Sequence, residues 1–191
     1  MAYRPPVAVL DACVLYPFHT RNLLVQFAVD RLVDVRWTDR IHDEWMRNLA
    51  ANAPGVSMGR LERTRDLMKA ALPMADVRGY EPLIPGIVLP DPDDRHVVAA
   101  AVAGGASVVV TWNTSDFPEA ELARHGLRRE TPDQFSLGLY AAASEAVLAA
   151  VANARMNLRV STPTADGFAS ALVQQGLLGF AGAISDTLPG V

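Results

Sequence analysis

The sequence predicts an α/β fold built on a parallel sheet, because short apolar runs alternate with helical patterns. The runs Val7–Leu10 and 106–111 have the unbroken apolar composition of strands that are buried on both faces. A helical pattern and a double glycine precede the second run, as in the later half of a β-α-β unit. Asp11 follows the first run directly and Asp116 stands shortly past the second. Open α/β sheets hold ligands outside the carboxyl ends of their strands, so we expect these acids to converge.

Length and composition are those of one ordinary globular domain with a small addition. The chain has 191 residues, half of them hydrophobic, and no apolar run approaches the ~20 residues that span a bilayer. The amino-terminal apolar run is interrupted by Asp11 and lacks the pattern of a secretory signal. Cys13 is the single cysteine, so no internal disulfide forms, in agreement with a reducing compartment. We therefore expect a soluble cytoplasmic protein without membrane contact.

The overall charge gives no indication of a nucleic-acid partner. The net charge is −4, from 21 acidic and 17 basic side chains. If four of the 21 acids share one metal site, the 17 acids that remain equal the 17 basic residues in number. The outer faces of the protein are then neutral or locally basic, which is compatible with a polyanionic partner.

The first half of the chain carries three helical patterns after the first strand. Asp39 and Ser57 are predicted N-caps, and Pro73 ends the third helix. Glu44 lies at the margin of the apolar face of the second helix. The predicted helices are 22–31, 40–53 and 57–72.

The middle of the chain is predicted to be an irregular segment followed by alternating helices and strands. Residues 74–92 are rich in proline, and after them Asp93 or Asp94 caps an alanine-rich helix that stops at Gly104 and Gly105. The predicted elements are a strand near 76–78, the helix to 103, the strand at 106–111, a helix from Pro118 to His125 and an extended piece at 126–130.

The last part of the chain changes in composition and is predicted to be helical throughout. Helices are expected at 133–154, 163–175 and 177–187, with Thr162 as the N-cap of the second and Pro163 at its first position. We divide the chain into an α/β domain, 1–132, and a helical extension, 133–191. The extension has more apolar surface than short helices bury among themselves, so we expect it to dock on the α/β domain or on a second subunit.

Clustered carboxylates are the only catalytic equipment that the sequence offers. It contains no phosphate-binding GxxxxGK[ST] loop, GxGxxG turn, HExxH helix or CxxC pair. Three or four carboxylates around a shallow pocket suit hard divalent cations such as Mg²⁺ or Mn²⁺.

Each acid also has an ordinary structural interpretation. Asp11 could start a turn, Glu44 could be solvated with Asp43 beside it competing for its role, and Asp116 could form an Asx turn. One of the doublet Asp93 and Asp94 is a plain N-cap in either case.

The segments VAVLDACVLYP, DEW and PDPDDRHVVAAAVAGGASVVVTWNTSDFP together resemble the PIN domain, and particularly the VapC-type toxins of prokaryotic toxin–antitoxin pairs. The resemblance covers about residues 5–135. It implies a three-layer α/β/α fold and a Mg²⁺- or Mn²⁺-dependent endoribonuclease. The acidic quartet carried over by position consists of Asp11, Glu44, Asp94 and Asp116.

The resemblance also implies roles and partners. Asp11, Asp94 and Asp116 would bind the cation, while Glu44 completes the shell or orients water. RNA is the implied substrate, with Thr111, Asn113 and Arg95 as its candidate contacts. A cognate antitoxin is the implied protein partner, and a homodimer is a further possible assembly.

Two departures from the family pattern bear on the site. Cys13 stands where many members have Ser or Thr, and the doublet leaves open whether Asp93 or Asp94 is the ligand. His96 and Trp112 also lie near the acids, where core or rim packing competes with contact to substrate or base. Two other functions remain open: a PIN-like RNA- or protein-binding module without catalysis, and a metal-dependent DNA nuclease or phosphatase.

Overall fold

The computed structural model describes residues 3–158, 160 and 163–185, and four strands and ten α-helices are found among them. The strands are β1 (Val7–Leu10), β2 (Asp34–Arg36), β3 (Val108–Val110) and β4 (Arg128–Glu130). The helices are α1 (Ala12–Leu15), α2 (Phe18–Val29), α3 (Asp39–Asn52), α4 (Met58–Ala71), α5 (Arg95–Ala103), α6 (Glu119–Arg124), α7 (Pro132–Ala142), α8 (Ser144–Met156), α9 (Ala165–Gln174) and α10 (Leu178–Ser185).

The sheet is parallel throughout, and its strands run in the order β2-β1-β3-β4. The chain leaves β1 toward β2 on one side and reaches β3 on the other, so the strand order changes direction between β1 and β3. Leu10 pairs with Val110 in this register, which places the residues that follow both strands side by side. Such a switch point is where open α/β sheets form a ligand crevice.

The central strands are covered on both faces, which explains their unbroken apolar composition. All three residues of β3 are fully buried, as are Ala8, Val9 and Leu10 of β1. Helix α5 packs on β1 and β3, and α2 packs on β2. The predicted α/β fold with helices on both faces of a parallel sheet is confirmed.

The double glycine after α5 is required by two different constraints. A Cβ on Gly104 would lie 2.9 Å from the carbonyl oxygen of Ala100 and 2.9 Å from Cγ2 of Val77. Gly105 has a φ of +64°, the left-handed conformation in which L side chains are strained. The predicted end of this helix is confirmed.

Two predictions about strands are corrected. β2 was not predicted, because its three residues alternate in burial and carry charges at both ends. The expected strand at 76–78 is a single bridge, in which Trp37 donates its N–H to Ala75 O at 3.0 Å and accepts one from Val77 at 2.9 Å. The ladder stops there because the chain turns into α3 immediately after Trp37.

Several helix ends also differ from the sequence predictions. Thr38, not Asp39, is the N-cap of α3, since its hydroxyl accepts the N–H of Ile41 at 3.2 Å. The single helix expected at 133–154 is two helices, because Ala143 leaves the helical conformation, with a φ of −152° and a ψ of 58°. Helix α9 is capped by Thr164, whose Oγ1 accepts from Gly167 N at 3.1 Å. The predicted cap Thr162 and the predicted helix end at 187 lie outside the described residues.

The carboxyl-terminal helices dock on α2 of the α/β part of the chain, which is one of the two arrangements expected from the sequence. Asn22 donates to the carbonyl oxygen of Ala154 at 2.8 Å, and the rings of Phe27 and Phe180 meet edge to face with centroids 6.0 Å apart. Asp133 of α7 accepts the N–H of Phe180 at 2.8 Å, which ties α10 to α7. The boundary at residue 132 itself stays a prediction.

No helix in the described part of the chain has the length and apolar character to cross a membrane.

The docking predicts that the core and the carboxyl-terminal helices unfold together. Phe180→Ala removes a fully buried ring against α2 and should lower the free energy of unfolding by about 3–5 kcal/mol. Phe18→Ala is the matched control, because that ring is 51% exposed and its loss should cost under about 1 kcal/mol. Urea unfolding monitored by tryptophan fluorescence measures both. An unchanged main transition in Phe180→Ala would show that the extension is an independent appendage.

Candidate functional site

Asp11 lies at the carboxyl end of β1, in the crevice between β1 and β3. Its N–H bonds to Val110 O at 3.1 Å, and its extended backbone begins α1 without a side-chain cap. The carboxylate is 4% exposed, and its Oδ2 accepts from Thr111 Oγ1 at 2.7 Å and from Cys13 Sγ at 3.0 Å. Burial raises the pKa of Asp11, and the Cys13 and Thr111 hydrogen bonds oppose part of that rise.

Thr111 is held in a position from which it fixes Asp11. It is fully buried at the end of β3, where its N–H bonds to Glu130 O at 3.0 Å. Its hydroxyl donates to Asp11 and accepts the N–H of Asn113 at 3.0 Å. The structure thus gives Thr111 a positioning contact, and its predicted contact with substrate stays a prediction.

Cys13 acts as a hydrogen-bond donor in place of the expected hydroxyl. Burial, and then the charge of Asp11, raise the pKa of its thiol to about 12, so it stays protonated. It accepts the N–H of Trp112 at 3.2 Å while donating to Asp11. The departure from the family pattern at this position therefore preserves a donor to the carboxylate.

Glu44 faces the crevice from α3, and its carboxylate lies beside Arg40 and His96. Its Oε1 lies 3.3 Å from Arg40 Nε and 3.0 Å from His96 Nε2. The His96 ring is buried, and its N–H is not well aimed at the oxygen, so the contact is an ion pair when the ring is protonated. Burial alone would raise the pKa of Glu44, but His96 and Arg40 outweigh it and lower that pKa.

The two members of the acidic doublet face different surroundings. Asp94 is half-buried and lines the crevice with Asp11 and Glu44, whereas the side chain of Asp93 is 91% exposed and lies 3.8 Å from Arg40. Neither caps α5 through its side chain, and the N–H of Asp93 is bound by Asp91 at 2.8 Å. This geometry favours Asp94 as the ligand.

Asp94 experiences the charge of the whole acidic cluster. Burial, and then the charges of Asp11, Asp91, Asp116 and Glu44, together raise its pKa to about 7. Asp116 belongs to this cluster from the turn after β3, although it does not line the crevice itself. Its carboxylate accepts the hydroxyl of Ser115 at 3.3 Å.

The crevice has a volume of about 400 Å³, and apart from the three carboxylates its walls are uncharged, with Ala12 and Cys13 beside polar side chains. Among the described residues that line it there is no Lys or Arg, and predicted Arg95 is not part of the lining. Predicted Asn113 lines it. The uncharged polar side chains around the carboxylates are Tyr16, Asn48, Asn52 and Asn113.

Asn48 and Asn52 line the crevice but were not identified from the sequence, although their spacing from Glu44 indicates that they lie on the same side of the helix. They follow Glu44 by four and eight residues, so the three side chains share one face of α3. The carboxamide of Asn52 donates to the carbonyl oxygen of Asn48 at 2.8 Å, one turn earlier. Carboxamides donate and accept hydrogen bonds, so this face can contact uncharged groups of a ligand beside the carboxylates.

The donor chemistry of the site fits a hard divalent cation. All four predicted acids carry oxygen ligands, and no Lys or Arg lines the crevice beside Asp94, whose pKa is raised by burial and by the neighbouring acids. Within residues 3–158, 160 and 163–185, no three His, Cys, Asp or Glu side chains form a group that could already hold a metal ion. Asp11, Glu44 and Asp94 line one crevice and Asp116 adds its charge to that of the cluster, but the four carboxylates do not surround a single point.

Comparisons with known proteins find similarity in both parts of the chain. Residues 7–115 match the PIN domain family, and residues 132–186 match the VapC50 C-terminal domain. A protein from Mycobacterium tuberculosis (strain ATCC 25618 / H37Rv), the putative ribonuclease VapC50, is 41% identical over 64 residues. That alignment covers 32% of this chain and 38% of the relative, well under half of its length. No solved structure matches the chain.

The raised pKa of Asp94 predicts a pH-dependent stability in the absence of metal. The folded protein holds a proton on Asp94 up to a pH of about 7, which the unfolded chain releases near its ordinary pKa of about 4. The stabilising contribution is complete below about pH 4 and is lost as the pH rises through about 7. In EDTA, Tm should fall between about pH 5 and pH 8, and Asp94→Asn should reduce that fall and melt above the wild type at pH 8.

Asp43→Asn is the control, since Asp43 is exposed on α3, beside Glu44 but outside the crevice. It should leave the pH dependence of Tm unchanged. Equal slopes for wild type and Asp94→Asn would contradict the electrostatic description of the cluster.

Proposed function

Because the chain belongs to the PIN domain family, we propose that it is a metal-dependent endoribonuclease that hydrolyses RNA phosphodiester bonds. We further propose that it is the toxin of a type II toxin–antitoxin pair and acts in the cytoplasm. The observation that carries the proposal is the gathering of acids at the switch point of the sheet, where burial and the neighbouring acidic charges together raise the pKa of Asp94 to about 7. The partial relative named a putative ribonuclease supports the same reaction.

The acids divide into ligands and a positioning group. Asp11, Asp94 and Asp116 are the proposed ligands of Mg²⁺ or Mn²⁺, because their oxygens are the hard donors these ions prefer. A bound divalent ion supplies a water of lowered pKa and offsets negative charge that develops on the phosphate. Glu44, kept ionised by Arg40 and His96, completes the shell or orients the attacking water.

The uncharged walls of the crevice suit a nucleic-acid strand whose phosphate is held at the cation. Asn48, Asn52 and Asn113 present donors and acceptors for base edges and 2′-hydroxyl groups, and Tyr16 presents a ring for a base. Recognition of RNA by uncharged groups is typical of splayed single strands. Thr111 and Arg95 remain proposed contacts at the edge of this path.

The proposal predicts metal-dependent cleavage that depends on the acids. The purified protein should cleave single-stranded RNA with Mg²⁺ or Mn²⁺, and EDTA should abolish cleavage. Asp11→Asn and Asp94→Asn should each lower the rate by at least ~10²-fold, because each removes a charge that organises the ion. Initial rates on a fluorescent oligoribonucleotide measure this effect.

Asp43→Asn serves again as the control and should cleave at the wild-type rate, because Asp43 lies on the exposed side of α3. Full activity of Asp94→Asn would refute the assignment of Asp94, and cleavage by the wild type in EDTA would refute the metal mechanism. Cleavage of DNA or a phosphomonoester instead of RNA would favour the nuclease or phosphatase alternative. Absence of any cleavage would favour a binding module.

The toxin assignment predicts a cationic inhibitor. A cognate antitoxin should place an Arg or Lys among the carboxylates, since a partner's cation replaces the metal charge and blocks substrate. Expression of the wild type alone should arrest growth, co-expression with the neighbouring gene should relieve the arrest, and Asp94→Asn should be harmless alone. Harmless expression of an enzyme that is active in vitro would indicate an RNA-processing role.

A further inference from the structure

The turn that joins α9 to α10 reaches back to the residue that follows Thr111. We infer that this turn, residues 175–177, holds the Trp112 indole in place and thereby positions Asp11 for its ligand. The inference rests on the proposed function only in taking Asp11 as a ligand. Gln175, Gly176 and Trp112 are positioning residues, and none of the carboxyl-terminal helices lines the crevice.

Gln175 fixes the turn on the α/β part of the protein. Its side-chain Oε1 accepts both the N–H and the hydroxyl of Thr20, at 2.9 Å and 3.1 Å. Thr20 is fully buried in the first turn of α2. Two hydrogen bonds to one buried residue across 155 positions of the chain give the turn a defined place.

Gly176 brings the backbone of the turn against the indole. A Cβ on this residue would lie 3.0 Å from Cη2 of Trp112 and 3.4 Å from Cζ2 and Cζ3. Its φ of +94° is a conformation in which any L side chain is strained. The contact and the conformation together require glycine here, and the half-buried indole has the turn as one wall.

Trp112 is linked to Asp11 through its own backbone. Its N–H donates to Cys13 Sγ at 3.2 Å, and the Cys13 thiol donates to Asp11 Oδ2 at 3.0 Å. Thr111, the residue before Trp112, donates to the same oxygen at 2.7 Å. A displacement of the indole therefore moves both donors that hold the carboxylate.

This path explains why an extension without acidic site residues is packed so close to the site. Hydrogen-bonded partners of a metal ligand set its orientation, and their loss typically lowers metal affinity about 10–100-fold. The extension contributes the turn at residues 175–177, which packs against Trp112 beside the hydrogen-bond donors of Asp11.

Gly176→Ala tests the inference, with Gly55→Ala as a matched control. Gly55 has a similar φ of +89°, lies in the loop between α3 and α4, and has nothing within 4 Å of an added Cβ. Both variants carry the same backbone strain, so both should lower Tm. Only Gly176→Ala should weaken Mn²⁺ binding, by about tenfold or more in a titration followed by electron paramagnetic resonance.

Fluorescence and a double variant report on the contact itself. Trp37 and Trp45 are fully buried, so subtracting the spectrum of Trp112→Phe gives the emission of Trp112. That emission should shift in Gly176→Ala and stay unchanged in Gly55→Ala. In the Trp112→Phe background the smaller ring leaves room for a Cβ, so Gly176→Ala should cost less Mn²⁺ affinity than in the wild type.

Gln175→Ala provides a second variant without backbone strain, in case Gly176→Ala does not fold. It removes both bonds to Thr20 and should also weaken Mn²⁺ binding. Wild-type Mn²⁺ affinity in both Gly176→Ala and Gln175→Ala, or an equal loss in Gly55→Ala, overturns the inference. A wild type that binds Mn²⁺ but cleaves no RNA refutes the proposed function, while the affinities of the variants still decide the inference.

Discussion

The parallel pairing of β1 with β3 is the constraint on which the rest of the structure depends. The register that joins Leu10 to Val110 sets Asp11 beside Thr111, and the N–H of Asp11 is satisfied by Val110. The carboxylate then needs no role in capping α1 and faces the crevice, held by a hydroxyl and a thiol. A slip by one residue would reverse every side chain along the strand and bury the acid in the sheet.

The electrostatics of the crevice follow from that placement. Burial and neighbouring acids raise the pKa of Asp94, whereas Arg40 and His96 lower that of Glu44. Glu44 therefore has basic side chains of the protein beside it, whereas no Lys or Arg lines the crevice at Asp94 and Asp11. Free energy stored in such repulsion is released when an external cation arrives, whether a metal ion or a basic side chain of a partner.

The carboxyl-terminal helices share the hydrophobic core of the α/β part of the chain. Their apolar faces are buried on α2, and the edge-to-face pair of Phe27 and Phe180 makes one core from both parts of the chain. The turn at Gly176 carries this packing to the rim of the site through Trp112. The positions of functional side chains depend on the residues that pack around them, and in this protein those residues include the turn between the last two helices.

The sequence by itself determined the α/β class, the parallel sheet and the acidic residues worth attention, because burial on both faces leaves an unbroken apolar run. It also indicated that the last helices would not hang free. It missed β2, whose three residues carry no periodic signal, and the break at Ala143. Only the tertiary structure placed Asp94 in the crevice and Asp93 outside it, gave Cys13 and Thr111 their hydrogen bonds to Asp11, and placed His96 on Glu44. Those outcomes depend on contacts between residues far apart in the chain, and local pattern carries no information about which distant side chain fills a given space.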